Sequence, residues 1–102
     1  MLVIFKTFEL EELYFIPVEN IKGKLPFQRS LIQQYKNRIV LLESIENIRD
    51  LYTFKSLHFE KLKGKRSGQS SIRLNDQYRL IIEQINDEVV KILILEISKH
   101  YE

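Results

Sequence analysis

Few side chains in this sequence can do chemistry. There is no cysteine and there are only two histidines, His58 and His100, which excludes a thiol nucleophile, a disulfide framework and a thiolate metal site, and makes a structural zinc an unfavoured expectation. No glycine-rich phosphate loop or nucleophile elbow is present, and each serine lacks an adjacent base in any triad pattern. What remains is His100, close to the end of the sequence, and a basic stretch. Residues 61 to 79 carry Lys61, Lys63, Lys65, Arg66, Arg73 and Arg79 against one acid, Asp76. A local excess of that kind attracts polyanions, nucleic acid or an acidic segment of a partner, although a solvated surface loop has the same composition. Cleavage of RNA needs little more: a group to take the proton from a 2′-hydroxyl, cations to stabilise the pentacoordinate phosphate, and a group to protonate the departing 5′ oxygen. Histidine suits the first or third task near neutral pH. The plainer reading of either histidine is an exposed bystander, that of Lys63 and Arg66 is loop charge, and Tyr78 reads as core before it reads as a stacking platform.

Two of these cations have a predictable geometry. In "SIRLNDQYRLII", residues 71 to 82, apolar residues alternate on both sides of the turn "LNDQY": Ile72 and Leu74 before it, then Tyr78, Leu80 and Ile82. If these five share one face, parity requires Leu74 to oppose Tyr78 and Ile72 to oppose Leu80. Arg73 and Arg79 are then cross-strand neighbours on the other face. Like charges so placed destabilise a hairpin unless an anion belongs between them.

The elements that must position these residues follow from periodicity. "LVIFK" reads as a short strand, and Thr7 caps a helix with Glu9, Glu11 and Glu12 near its start and Pro17 at its close. "ENIKGKLP" is a loop. From Pro26, apolar positions 31, 35, 39, 42, 45 and 48 recur at steps of three and four, which makes a long amphipathic helix that extends or restarts through "IRDLYTF". The period then changes to two. "LHFEKLK", "SSIRL", "YRLIIEQI" and "VVKILILEI" follow as strands, the last apolar on both faces and hence interior. The expectation is an α+β fold, one domain over residues 1–102, with an N-terminal strand and two helices packed on one face of a small antiparallel sheet. The arginines occupy the other face.

Composition agrees with such a domain. A chain of 102 residues can bury about two thirds of its unfolded surface. The opening "MLVIFKTFELEEL" has no basic n-region, and no apolar run reaches membrane-spanning length, so a soluble, cytoplasmic protein with no membrane partner is expected.

The stretch "LHFEKLKGKRSGQSSIRLNDQYRLIIE", followed by a terminal histidine in "ILEISKHYE", resembles the HigB-type killer toxins of the RelE/ParE superfamily. The resemblance is strong over the last half of the chain, and the order and length of the earlier elements agree with it. It implies a RelE-like fold and a toxin of a type II toxin-antitoxin system: a ribosome-dependent endoribonuclease that cuts messenger RNA and is neutralised by a helix-turn-helix, HigA-like antitoxin. No cofactor or metal is implied. Carried over residue by residue, Lys63 and Arg79 match the family's catalytic cations and His100 its terminal catalytic histidine. Lys61, Lys65, Arg66, Arg73, Lys99 and Tyr101 are the expected RNA contacts. Ser98 and Lys99 stand where many relatives have Asp and Tyr, which leaves the general acid open between Lys99 and Tyr101. Ser70 stands where relatives often have an aromatic residue. Two other readings remain: a non-catalytic ParE-like toxin that binds DNA gyrase, and a non-toxic module that binds RNA or protein.

Overall fold

The computed structural model describes residues Met1–Lys99. The order of elements is β1 (Leu2–Phe5), α1 (Phe8–Phe15), α2 (Arg29–Ser44), β2 (Glu60–Lys61), β3 (Gln69–Arg73), β4 (Tyr78–Asn86) and β5 (Val90–Lys99), with short 3-10 turns between α1 and α2 and between α2 and β3. The fold is α+β. The strands form one sheet in the order β1-β5-β4-β3-β2, in which the β2–β3, β3–β4 and β4–β5 pairs are antiparallel and β1 lies parallel to β5. The sheet is therefore larger than the alternating C-terminal segments alone suggest, because the N-terminal strand joins its edge. A parallel partner needs a crossover connection, and here everything between the two strands, α1, α2 and β2 to β4, separates them in the chain.

The two helices begin for different reasons, α1 for a local one and α2 for a tertiary one. The Thr7 hydroxyl accepts a hydrogen bond from the Leu10 amide at 3.2 Å, and Glu9 and Glu11 sit in the first turn, where the helix dipole favours acids. Helix α2 starts at Arg29 rather than at Pro26, since Phe27 turns away to pack edge-to-face on Tyr78, with ring centroids 5.6 Å apart. It ends at Ser44, and the chain restarts as a 3-10 helix over Ile48–Thr53 behind a capping box formed by Asn47 and Asp50.

The core lies between the helices and one face of the sheet. Leu31, Ile32, Tyr35, Ile39 and Leu42 of α2 meet Ile72, Leu80, Ile82, Ile92 and Ile94, all buried. The spacing of the α2 residues is the 3.6-residue period read from the sequence. Tyr35 keeps a polar atom in this layer by donating its hydroxyl to the Leu10 carbonyl at 2.7 Å, which ties α2 to α1.

In the hairpin, Ile72 opposes Leu80 and Arg73 opposes Arg79, and the Leu74 amide bonds the Tyr78 carbonyl at 3.0 Å. The parity argument therefore holds. Strand β5 carries a bulge: Ile81 pairs with Glu96 but Ile82 pairs with Ile94, so Leu95 is the additional residue. This is why "ILILEI" looks apolar on both faces. "LHFEKLK" is mostly not a strand, since only Glu60–Lys61 pair with β3. Leu57 and Phe59 are buried at the expected alternation, but His58 adopts the left-handed conformation (φ 46°, ψ 47°) and breaks the extended run.

Candidate functional site

The face of the sheet away from the helices carries Ser71 and Arg73 on β3, Arg79 and Ile81 on β4, and Glu96 and Ser98 on β5, as the register requires. At the β2 end the segment 57–66 folds over part of this face, which is why Ser71 and Ile81 are buried although no helix covers them. Between that segment and the sheet lies a pocket of about 340 Å³, lined by His58, Glu60, Leu62, Arg66, Ser71, Arg79, Ile81, Ser98 and Lys99. Three cations therefore face one carboxylate and one histidine over a floor of small and apolar groups. Such a concave, net positive site concentrates the field on an anion and is suited to phosphate.

Each cation is held differently. Arg79 donates from Nη1 to the Asn75 carbonyl at 2.7 Å and to the Tyr78 carbonyl at 3.1 Å, which orients its guanidinium and closes the hairpin turn over it. The turn itself is stapled by the Asn75 Oδ1, which accepts from the Gln77 and Tyr78 amides, both at 2.8 Å. Arg66 bonds Gln69 Oε1 and Glu96 Oε1, each at 3.1 Å, linking the 64–66 turn to β3 and β5. Both partners of the Arg66–Glu96 pair are about half exposed, so it is worth at most about 1 kcal/mol and an incoming phosphate can compete for the arginine. Lys99 lines the same pocket from the end of β5.

The repulsion expected between Arg73 and Arg79 is partly relieved within the chain. Arg73 pairs with Asp76 in the turn, and Arg79 is engaged with turn carbonyls. A third arginine stands close by: Arg38 of α2 donates from Nε to the Arg73 carbonyl at 3.0 Å. Burial first, and the Arg73 charge second, lower the Arg38 pKa from its ordinary value.

Of the residues singled out in the sequence, Arg79, Arg66 and Lys99 come together in one pocket. Lys63 and Lys65 are exposed on the adjoining 3-10 turn and do not line it. Lys61 points elsewhere: it pairs with Ser70, on the helix side of the sheet, and lines a separate hollow with Ile48, Phe59 and Gln84. Arg73 shares the face of Arg79 but stands outside the pocket. His100 and Tyr101 lie outside the described residues. His58, read from the sequence as an exposed bystander, and Glu60, which was not singled out, both line the pocket. A signal for them existed in "LHFE": if Leu57 and Phe59 face the core, His58 and Glu60 share the opposite face.

The family model for the RelE-like toxin of the type II toxin-antitoxin system HigB matches residues 8–96. The chain therefore belongs to the HigB-like, RelE-like toxins of type II systems, and that membership implies a protein antitoxin as partner. A solved YoeB/ParE toxin from Agrobacterium tumefaciens is similar in fold, with a TM-score of 0.57 and 14% sequence identity over 99% of this chain and 100% of that one. No curated protein sequence matches the chain.

Proposed function

We propose that this toxin is an endoribonuclease that cuts messenger RNA on the ribosome and so arrests translation in the cytoplasm, with a HigA-like helix-turn-helix protein as its antitoxin. The observation that carries this reading is the convergence of Arg79, Arg66, Lys99 and His58 on one pocket of the open sheet face. The scissile phosphate sits against Arg79, whose guanidinium is already oriented by two turn carbonyls. Arg66 and Lys99 stabilise the charge that builds on the non-bridging oxygens as the 2′ oxygen attacks phosphorus. His58 is the described group suited to proton transfer near neutral pH, with the Glu60 carboxylate in the same pocket. The 5′ oxygen leaves as a hydroxyl once protonated, and the other product end is a 2′,3′-cyclic phosphate. Lys63, Lys65 and Arg73, outside the pocket, hold the flanking strand, and His100 and Tyr101 complete the proton-transfer set in this reading.

Expression in growing bacteria tests it. Growth arrest accompanied by new 5′-hydroxyl ends within translated regions is the expected result. Arrest with DNA-damage signalling and intact transcripts would instead indicate a gyrase-directed toxin.

A further inference from the structure

At the outer edge of β3 two arginines stand together. Strand β2 covers β3 only at Ser70 and Ser71, so the edge beyond them is open. Because the Leu74 amide bonds the Tyr78 carbonyl, Arg73 and Arg79 form a narrow, non-hydrogen-bonded pair of the hairpin, and the Arg73 carbonyl points outward to that open edge. Arg38 of α2 meets it there, donating from Nε at 3.0 Å. We propose that Arg38 and Arg73 form a second phosphate subsite, which holds a flanking phosphodiester of the strand whose scissile phosphate sits at Arg79. This inference rests on the RNA-cleavage reading for its occupant.

Arg38 uses one donor on the Arg73 carbonyl. Its Nη1 and Nη2, which carry four of the five N–H groups of a guanidinium, bond no carboxylate or carbonyl among the described residues. Tying α2 to β3 takes a single neutral donor, so a second charge beside Arg73 is a cost to the free chain. Both side chains are half-buried, and the Arg73 charge adds to burial in lowering the Arg38 pKa. The carboxylate that pairs with Arg73, Asp76, has a side chain 92% exposed in the hairpin turn, so an incoming phosphate can displace it. An anion between the two guanidiniums removes their repulsion, and their planar forks match phosphate oxygens.

The subsite lies at the rim of the sheet and is reached from the open face. Helix α2 packs on the other side, but Arg38 makes its contact at the edge of β3, where no further strand intervenes. Across the narrow pair the Arg73 and Arg79 side chains are close neighbours on the open face. A row of cations thus runs from the Arg79 pocket through Arg73 to Arg38. That continuity favours a nucleic-acid backbone, which carries one charge per nucleotide, over an acidic protein segment. Contacts of this kind fix the register of the strand without reading its sequence.

The test titrates the full chain with an oligoribonucleotide blocked against cleavage by 2′-O-methyl groups, and reads affinity over a range of salt. Arg38→Gln, which keeps a side-chain donor for the Arg73 carbonyl, should bind about tenfold more weakly at low salt, the loss appropriate to one charge-assisted contact. Its slope of log K against log[salt] should become less steep by about 0.7, the value for one phosphate of a single strand. Arg38→Lys, which keeps the charge and loses the fork, should keep the slope and lose part of the affinity. On the isotope-labelled wild-type chain, the Arg38 guanidinium NMR signals should shift as the oligonucleotide binds. Unchanged affinity or slope in Arg38→Gln, wild-type Arg38 signals that stay in place on binding, or larger shifts with an acidic peptide of equal charge would overturn the proposal. Ribosomal cleavage assayed alongside separates the two readings. Arg38-dependent binding without cleavage would leave the subsite and remove the nuclease, whereas cleavage with binding indifferent to Arg38 would do the reverse.

Discussion

Replacing Arg73 and Arg79 by Gln, singly and together, should give opposite stability effects at two positions that face each other in the sheet. Each arginine feels the other as an opposed like charge, a penalty of about 0.2–1 kcal/mol in an antiparallel pair. Arg79→Gln relieves that penalty but removes two charge-assisted hydrogen bonds to the Asn75 and Tyr78 carbonyls. Such bonds contribute about 1.5–3 kcal/mol each when fully buried and less at this partly buried site, so the net cost is about 1 kcal/mol, or roughly 5 °C in Tm for a domain of this size. Arg73→Gln loses only the ion pair to Asp76, whose side chain is 92% exposed, and relieves repulsion from both Arg79 and Arg38. It should be neutral or stabilising by up to about 0.5 kcal/mol, and the gain should shrink in high salt. Thermal denaturation of the two single variants and the double variant, at low and high salt, measures all of this. The double variant should be less stable than the two single effects predict by addition, by about 0.2–1 kcal/mol, because each single variant already relieves the one shared repulsion. A rise in Tm for Arg79→Gln would refute the structural role of the turn bonds, and strict additivity would refute the repulsion.

Three further outcomes follow from the same geometry. His58→Gly should raise stability by up to about 1 kcal/mol, since it removes a side chain from a left-handed residue, while lowering RNA cleavage; calorimetry and a cleavage assay on one preparation check both signs. Burial holds the Tyr35 pKa well above its ordinary value of 10. The neutral phenol therefore stabilises the fold fully below about pH 10 and loses that contribution as pH rises towards the folded value, so an alkaline unfolding series should be less steep for Tyr35→Phe, which also costs about 1 kcal/mol through the unpaired Leu10 carbonyl. Association with RNA should weaken steeply with salt, and Lys61→Ala should lower it less than Lys65→Ala, because Lys61 lies on the helix side of the sheet.

Much of this architecture was legible because period and parity are local properties. The Arg73–Arg79 register followed from five apolar residues and one turn, and the Thr7 cap and the buried stripe of α2 followed in the same way. The parallel docking of β1 on β5 was not legible, since nothing in "LVIF" names its partner across the intervening crossover. The helix start at Arg29 was missed because Phe27 has a tertiary partner in Tyr78 that overrides the helix preference of the segment after Pro26. At the site, the basic residues were visible as a block of charge, but a block does not say which members share a face. Lys61 and Arg66 are five residues apart and lie on opposite sides of the sheet, because the chain turns at Gly64 (φ 66°) between them. His58 read as an exposed bystander because sequence alone does not show that the segment around it closes over the open face of the sheet.

The central claim is tested most directly by incubating the purified chain with ribosomes programmed by a defined messenger RNA and mapping the 5′ ends that appear. The account predicts discrete cuts on ribosome-bound RNA, little cutting of the same RNA when free, and a rate reduced on the order of a hundredfold in Arg79→Gln at equal ribosome occupancy. Cleavage by Arg79→Gln at the wild-type rate, or no cleavage of ribosome-bound RNA by the wild-type chain, would contradict it.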